Sequence, residues 1–175
     1  MLSGRGSPLA WVYIHRLHHR YSDTGQDPHQ SKKMQSGLRS FFVFPKQDDF
    51  KFFLVKDIMT PLHLNLHHYY ILYILLFALG LAVVDFTIFY FFWLVPVVMI
   101  HLAQQNFNYW AHKTGYRNFV TRDLSKNNHW LFSILLGECW HNNHHHDPKS
   151  YTTQFKNYEI DPLGWFIKFI KLKSL

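Results

Sequence analysis

Residues 69–84 read YYILYILLFALGLAVV and residues 86–103 read FTIFYFFWLVPVVMIHLA, and Asp85 between them is the only Asp, Glu, Lys or Arg from Tyr69 to His112. As α-helices the two stretches extend about 24 and 27 Å. A hydrocarbon core is ~30 Å thick, so each falls slightly short alone. Leu62–His68 is expected to lengthen the first, and Gln104–Trp110 the second. Both stretches are apolar on every side, a pattern that belongs to lipid or to the centre of a large protein. The reading is a transmembrane hairpin over residues 62–110 that turns near Asp85. Val84-Asp85-Phe86 offers neither Gly nor Pro for the turn, and Gly80 is the nearest residue to share it. Pro96, inside the second helix, predicts a kink.

The rest of the chain is arranged around this hairpin. All eighteen Lys and Arg lie in two blocks, Arg5–Lys56 and Lys113–Lys173. With both blocks on one side of the hairpin, the positive-inside rule places that side in the cytoplasm. One domain over residues 1–175 follows: a cytoplasmic cap segment at 1–61, the transmembrane hairpin at 62–110, and a second cytoplasmic cap segment at 111–175. A chain that is 48% hydrophobic and 17% charged is not a disordered one. Its net charge of +7 points to an anionic partner. Nucleic acid is set aside, because the basic residues flank an apolar hairpin and form no recognised binding motif. A single cysteine, Cys139, excludes an internal disulfide and a CxxC zinc site. Residues 22–33 read as a loop, and residues 50–60 (FKFFLVKDIMT) as an interfacial lead-in to the hairpin. From Pro162 the tail LGWFIKFIKLKSL mixes apolar residues with Lys168, Lys171 and Lys173. It reads either as a basic amphipathic helix at a membrane surface or as a helix packed on the cap.

Fourteen histidines are the unusual feature of the composition. His15-Arg16-Leu17-His18-His19 and His141-Asn142-Asn143-His144-His145 both have the form HxxHH. At this histidine frequency roughly 0.1 chance occurrences are expected, so two are improbable. Positions i, i+3 and i+4 share one helical face, and each motif therefore directs three imidazoles into one volume. Asn108 and His112 lie one turn apart at the end of the second apolar helix. Seven imidazoles exceed the needs of one tetrahedral zinc and favour two ions, with zinc, copper, iron and nickel all open on donor type. His63, His67 and His68 mark the water interface, and His101 a buried or cavity position. His29, His129 and His146 read as supporting or surface residues.

HRLHHRYSDTGQDPH at 15–29 closely resembles the second histidine box of membrane fatty-acid desaturases of the acyl-CoA Δ9 type. GECWHNNHHHDP at 137–148 resembles their third box, and NYWAH at 108–112 their NxxxH element. The resemblance implies an all-α membrane protein whose cytoplasmic helical cap carries a histidine-rich di-metal site. It implies two ferrous ions held by His15, His18, His19, His112, His141, His144 and His145. Asn108 would reach one ion through water, and Asp27 and Glu138 would accept hydrogen bonds from imidazole N–H groups. It implies an integral membrane enzyme with its site on the cytoplasmic face, of the endoplasmic reticulum in a eukaryote or the inner membrane in a bacterium. Such an enzyme introduces a cis double bond, at Δ9, into a saturated acyl chain with O₂ and two electrons. The acyl chain would be bound to CoA, a carrier or a lipid, and the electrons would come from cytochrome b5 or a ferredoxin. Trp11, Phe107 and Trp110 are candidates to touch the substrate, and Tyr69, Tyr70, Tyr73, Phe77 and Tyr109 join them as possible tunnel residues.

Departures from the pattern carry their own expectations. The family's earlier HxxxxH box and first hairpin have no counterpart before His15; the same spacing at His63–His68 falls after the second box. The chain is therefore expected to be a C-terminal portion of a desaturase and not to desaturate alone. Cys139 replaces a small residue. Tyr13-Ile14 stands where some animal members carry charge, which leaves the acyl carrier open. The rival readings are a histidine-box hydroxylase or ketolase, which YSDTGQDPH argues against, and a non-catalytic metal-binding fragment.

Overall fold

The computed structural model describes residues 3–29, 51–131 and 137–173. Parts of three expected features lie outside them: the loop beyond His29, the cap segment at 30–50, and the stretch before the third box at 132–136. Among the described residues the protein is helical, and its only β pairing is two isolated bridges, Tyr116 with Asn127 and Asn127 with Trp140.

Helix α1 spans Pro8–Tyr21. Ser7 caps it, the Oγ accepting the Ala10 N–H at 3.1 Å, and Pro8 occupies the first turn, where its missing N–H costs nothing. The buried face of α1, Leu9 and Tyr13, packs on Val55 of a 3₁₀ turn, Phe52–Ile58. Arg16 fastens that turn by donating to Leu54 O at 2.7 Å and to both oxygens of Asp57. The stretch 51–60 thus packs on α1 through Val55 while Phe52 and Phe53 stay exposed.

Helix α2, Pro61–His68, is capped by Thr60, and His67 Nδ1 lies 2.6 Å from Ser7 Oγ. It does not lengthen the following helix coaxially, as the sequence suggested. The axis bends by 71° between α2 and α3, Tyr70–Val84. Tyr69 makes the corner at φ −100° and ψ 19°, its N–H still closing on Asn65 O. The cause is chemical: α2 carries His63, Asn65, His67 and His68 and is tied to α1, whereas α3 has no polar residue beyond its tyrosines. α3 buries none of its residues, and Val83 is 77% exposed.

Asp85 solves the turn without Gly or Pro. Its backbone is extended at φ −164°, and its carboxylate accepts the N–H groups of Thr87 and Ile88 at 2.6 and 3.2 Å, as a helix N-cap does. Helix α4 then runs Phe86–Lys113, about 42 Å long by its residue count, and is long and apolar enough to cross a membrane. Pro96 does not end it. A π-helical turn at Tyr90–Leu94, with Val95 N–H bonded to Tyr90 O, widens the helix just before the proline ring. The first half of α4 is exposed (Phe92 78%), and burial begins with Gln105, Phe107, Asn108, Ala111 and His112. There Phe107 and Ala111 join Leu131, Cys139 and Trp140 in the core of the cap. Helices α5, His141–His146, and α6, Pro162–Lys173, complete the described chain.

Candidate metal centre

Three helices bring seven imidazoles together at the buried end of α4. His15, His18 and His19 come from α1, His112 from the last turn of α4, and His141, His144 and His145 from α5. They divide into two groups. His18, His112, His141 and His145 are all buried, and His15, His19 and His144 are half-buried. Within each group the facing ring nitrogens lie within 4.8 Å of one another.

The ring nitrogens face inward as bases. In the second group the Nε2 atoms form a triangle with edges of 3.2 Å (His15–His144), 3.1 Å (His15–His19) and 2.9 Å (His19–His144). In the first, His112 Nε2 lies 2.9 Å from His141 Nε2. His18 Nε2 and His145 Nε2 are buried with no hydrogen-bond partner among the described residues, a costly state for nitrogen lone pairs that a bound cation would relieve. Nitrogens ~2.1 Å from a shared ion lie about 3.0 Å apart at right angles and about 3.4 Å apart at tetrahedral angles. The observed triangle matches the first spacing, three donors on one face of an ion with positions left open. The donor set therefore fits a metal in each group.

Three carboxylates set the tautomers. His18 Nδ1 donates to Asp27 at 2.9 Å, His112 Nδ1 to Asp23 at 2.9 Å, and His145 Nδ1 to Asp123 at 2.8 Å. A carboxylate only accepts, so each Nδ1 carries the proton and each Nε2 is free to ligate. The carboxylates are themselves fixed. Asp27 accepts the N–H groups of Asp23 and His29, both at 2.8 Å, and Asp23 accepts Leu124 N–H at 2.7 Å. Asp123 accepts Ser125 N–H, Ser125 Oγ–H and Thr121 Oγ–H. Burial alone would raise Asp123, but the bonds from His145, Ser125 and Thr121 hold it far below the usual carboxylate range. Burial, reinforced by the neighbouring imidazoles, lowers His15 to about 3 and His144 to about 4, and holds His19 and His141 well below the usual imidazole range. These rings are neutral at pH 7, the form a metal needs.

The residues between the histidines of α5 hold that helix in place. Asn142 Oδ1 accepts the N–H groups of Asn118 and Phe119 at 2.9 Å. Asn143 Nδ2 donates to Glu159 at 2.9 Å. Glu159 is fully buried and also accepts Tyr116 O–H, Asn118 Nδ2–H and the N–H groups of Phe155 and Lys156.

A cavity of about 360 Å³ opens beside the imidazoles. Trp11, Phe107, Asn108 and Glu138 line it together with His15, His18, His141 and His144. Trp11 stacks on His15 at 4.9 Å, and Phe107 meets His141 edge-on at 4.9 Å. Trp110 does not line it. Its ring packs against the Phe107–Trp140 core and meets Trp130 at 5.7 Å. Tyr69, Tyr70, Tyr73, Phe77 and Tyr109 are also absent from the lining. Glu138 is a wall residue without a hydrogen bond to an imidazole among the described residues, its pKa raised by desolvation in the cavity wall and by Asp161. His29 lines the cavity and meets His18 edge-on at 5.4 Å. His101 Nδ1 accepts from Arg5 at 2.8 Å, His129 stacks on Tyr116, and His146 stacks on Phe119. None of these four joins either imidazole group. Sequence reasoning missed Asp23 and Asp123. The one available signal was an Asp after a helix end, which at Asp23 adopts φ 62°.

Fold and site together define a helical, histidine-rich metal-binding protein with a long apolar helix leading to its metal centre. The family profile described as fatty acid desaturase matches residues 1–159, and the chain belongs to that family. It is similar to the sn-1 stearoyl-lipid 9-desaturases of Anabaena variabilis, at 31% identity over 99% of this chain and 65% of the relative, and of Synechocystis sp., at 31% over 99% and 56%. It is also similar to the acyl-CoA C20 Delta5-desaturase of Anemone leveillei, at 29% over 98% and 57%. The chain thus spans between about half and two thirds of the length of these relatives.

Proposed function

We propose that this chain is the metal-bearing portion of a membrane fatty-acyl desaturase that introduces a cis double bond, at Δ9, into a saturated chain. The observation that carries the reading is the convergence of seven imidazoles, in two sets, beside a cavity at the end of an apolar helix. In this reading residues 62–110 form the hairpin in the bilayer, and residues 1–61 and 111–175 form the cap on the cytoplasmic face. Two iron ions occupy the imidazole groups, with His15, His18, His19, His112, His141, His144 and His145 as ligands and Asn108 acting through water.

An unactivated C–H bond has no acidic proton for a side-chain base, and a bound iron pair supplies the O₂-dependent oxidation that such a bond requires. Atoms balance when the acyl chain loses two hydrogens and O₂, two electrons and two protons become two waters. Asp23, Asp27 and Asp123 hold three imidazoles in the ligating tautomer, while Trp11 and Phe107 wall the acyl chain against the site and exclude water. Glu138 lines the same wall. The substrate is an acyl chain on a lipid, CoA or a carrier, and the electrons come from a carrier such as cytochrome b5 or a ferredoxin, drawn to the basic cap.

The test is expression in a host that supplies the electron donor, with and without an upstream segment bearing HxxxxH, followed by acyl-chain analysis. New cis-unsaturated chains are expected only with the upstream segment. Hydroxylated chains, or no product from either form, would contradict the reading.

A further inference from the structure

The cavity beside the imidazoles is lined by Gln104, Phe107 and Asn108 of α4 and by Leu163, Gly164, Phe166 and Ile167 of α6. This sets the level of α6. On α4 the apolar run of the sequence ends at Ala103, so Gln104–Asn108 is the first turn beyond it. A helix that shares a single cavity with that turn stands where hydrocarbon gives way to head groups.

The composition of α6 suits that level. Leu163, Phe166, Ile167 and Ile170 recur at i, i+3, i+4 and i+7, one stripe of the helix. The stripe is well exposed, with Phe166 at 61%. Lys168 and Lys171 flank it, three residues apart and so on the same side of the helix. Lys171 Nζ rests 5.2 Å from the Tyr151 ring, which fixes that ammonium at the edge of the stripe. Trp165 donates to Gln154 at 3.1 Å, an apolar ring with a polar tip tied to the cap. The root of the helix is firm. Asp161, buried, accepts Gly164 N–H at 2.9 Å through one oxygen and Thr152 Oγ–H and Thr153 N–H through the other. A Cβ at Gly164 would come within 2.4 Å of that carboxylate, so the close approach requires glycine. α6 is thus a rigidly rooted helix that presents apolar rings and ammonium groups together, the complement of an anionic lipid surface.

We propose that α6 seats on an anionic lipid surface and holds the rim of the cavity at the level of the acyl chains. This rests on the membrane reading above and adds the segment, the charge of the lipid and the side from which an acyl chain meets the site.

The experiment is a depth measurement. The full chain is placed in phosphatidylcholine nanodiscs with or without phosphatidylglycerol. It carries a nitroxide at Phe166→Cys, at Leu163→Cys as a second reporter on the stripe, or at Lys149→Cys on the cap loop. Oxygen collisions should exceed those of a water-soluble nickel complex at 163 and 166, and the reverse should hold at 149. Phosphatidylglycerol should lower nickel access at 166 by about fivefold per lysine engaged, and Lys168→Glu with Lys171→Glu should abolish that gain. Water-like collisions at both stripe positions would overturn the proposal, as would identical depths in the two lipid mixtures. The readout does not depend on turnover. A correctly seated helix in an inactive protein would count against the proposed reaction alone.

Discussion

Replacing Asp23 with Asn isolates the contribution of one carboxylate to the metal centre. Asp23 sits at φ 62°, a conformation that Asn tolerates nearly as well as Asp. The amide oxygen can still accept from His112 Nδ1 at 2.9 Å and from Leu124 N–H at 2.7 Å. Shape and backbone are therefore kept and only the charge is removed. The pair is dry, with side-chain exposures of 2% for His112 and 9% for Asp23, so solvent does not screen the loss. A hydrogen bond to a charged group contributes ~1.5–3 kcal/mol and a neutral one ~0.5–1.5. The difference of ~1–1.5 kcal/mol is about tenfold in an equilibrium constant. That lies at the lower end of the 10–100-fold cost, roughly, of disturbing a partner behind a metal-bound histidine. Titration against a competing chelator should show metal affinity down about tenfold, with the thermal midpoint of the metal-free chain little changed. Asp23→Ala should lose at least as much affinity and also stability, by ~1 kcal/mol or more, because Ala resists positive φ. Wild-type affinity in Asp23→Asn would refute the argument that the Asp23 charge tunes His112.

Acid should destabilise the metal-free chain. His15 and His144 titrate at about 3 and about 4 in the folded chain, both chiefly through burial, against about 6.5 unfolded. Between those values the unfolded chain binds protons that the folded one refuses, so stability falls as pH drops below ~6.5. Thermal melts from pH 8 to pH 4 check this, and a midpoint that rises on acidification would contradict it. The buried Cys139 thiol is pushed up to about 12, first by burial. At pH 8 iodoacetamide should leave it unmodified in the folded chain and label it after denaturation, as read by mass spectrometry. Ser7→Ala removes the α1 cap and the contact with His67. Denaturant titration should show a loss of ~1–2 kcal/mol, together with a fall in metal content as the first turn of α1 frays.

The histidines were legible because their spacing is a property of the helix itself: i, i+3 and i+4 meet whatever lies around them. Which imidazole joins which partner was not. His18 groups with His112, His141 and His145, whereas its chain neighbours His15 and His19 group with His144, and that split depends on how three helices cross. The carboxylates show the same boundary. Asp27 stood out within the box resembling a known one. Asp23 reaches His112 across 89 positions and Asp123 reaches His145 across 22, and local pattern holds no trace of such pairings. The break at Asp85 was read where it falls, but its capping role was overlooked, since Asp followed by a helical run is an N-cap signal in its own right. The bend at Tyr69 was not readable, because it depends on α2 being held to α1 by Ser7 and His67. Trp110 lies three positions from Phe107, only about 60° away round the helix, so periodicity alone could not separate them; Trp110 packs on Trp130 and the cap core, and Phe107 lines the cavity.

The most direct test of the two-group centre is metal stoichiometry. The chain, purified anaerobically and supplied with ferrous iron, is analysed by inductively coupled plasma mass spectrometry alongside His18→Ala, His144→Ala and His63→Ala. Two irons per chain are expected, with a lower iron content in His18→Ala and in His144→Ala, and no change in His63→Ala. A single zinc held in a closed four-coordinate site, or full metal in both ligand variants, would contradict the account.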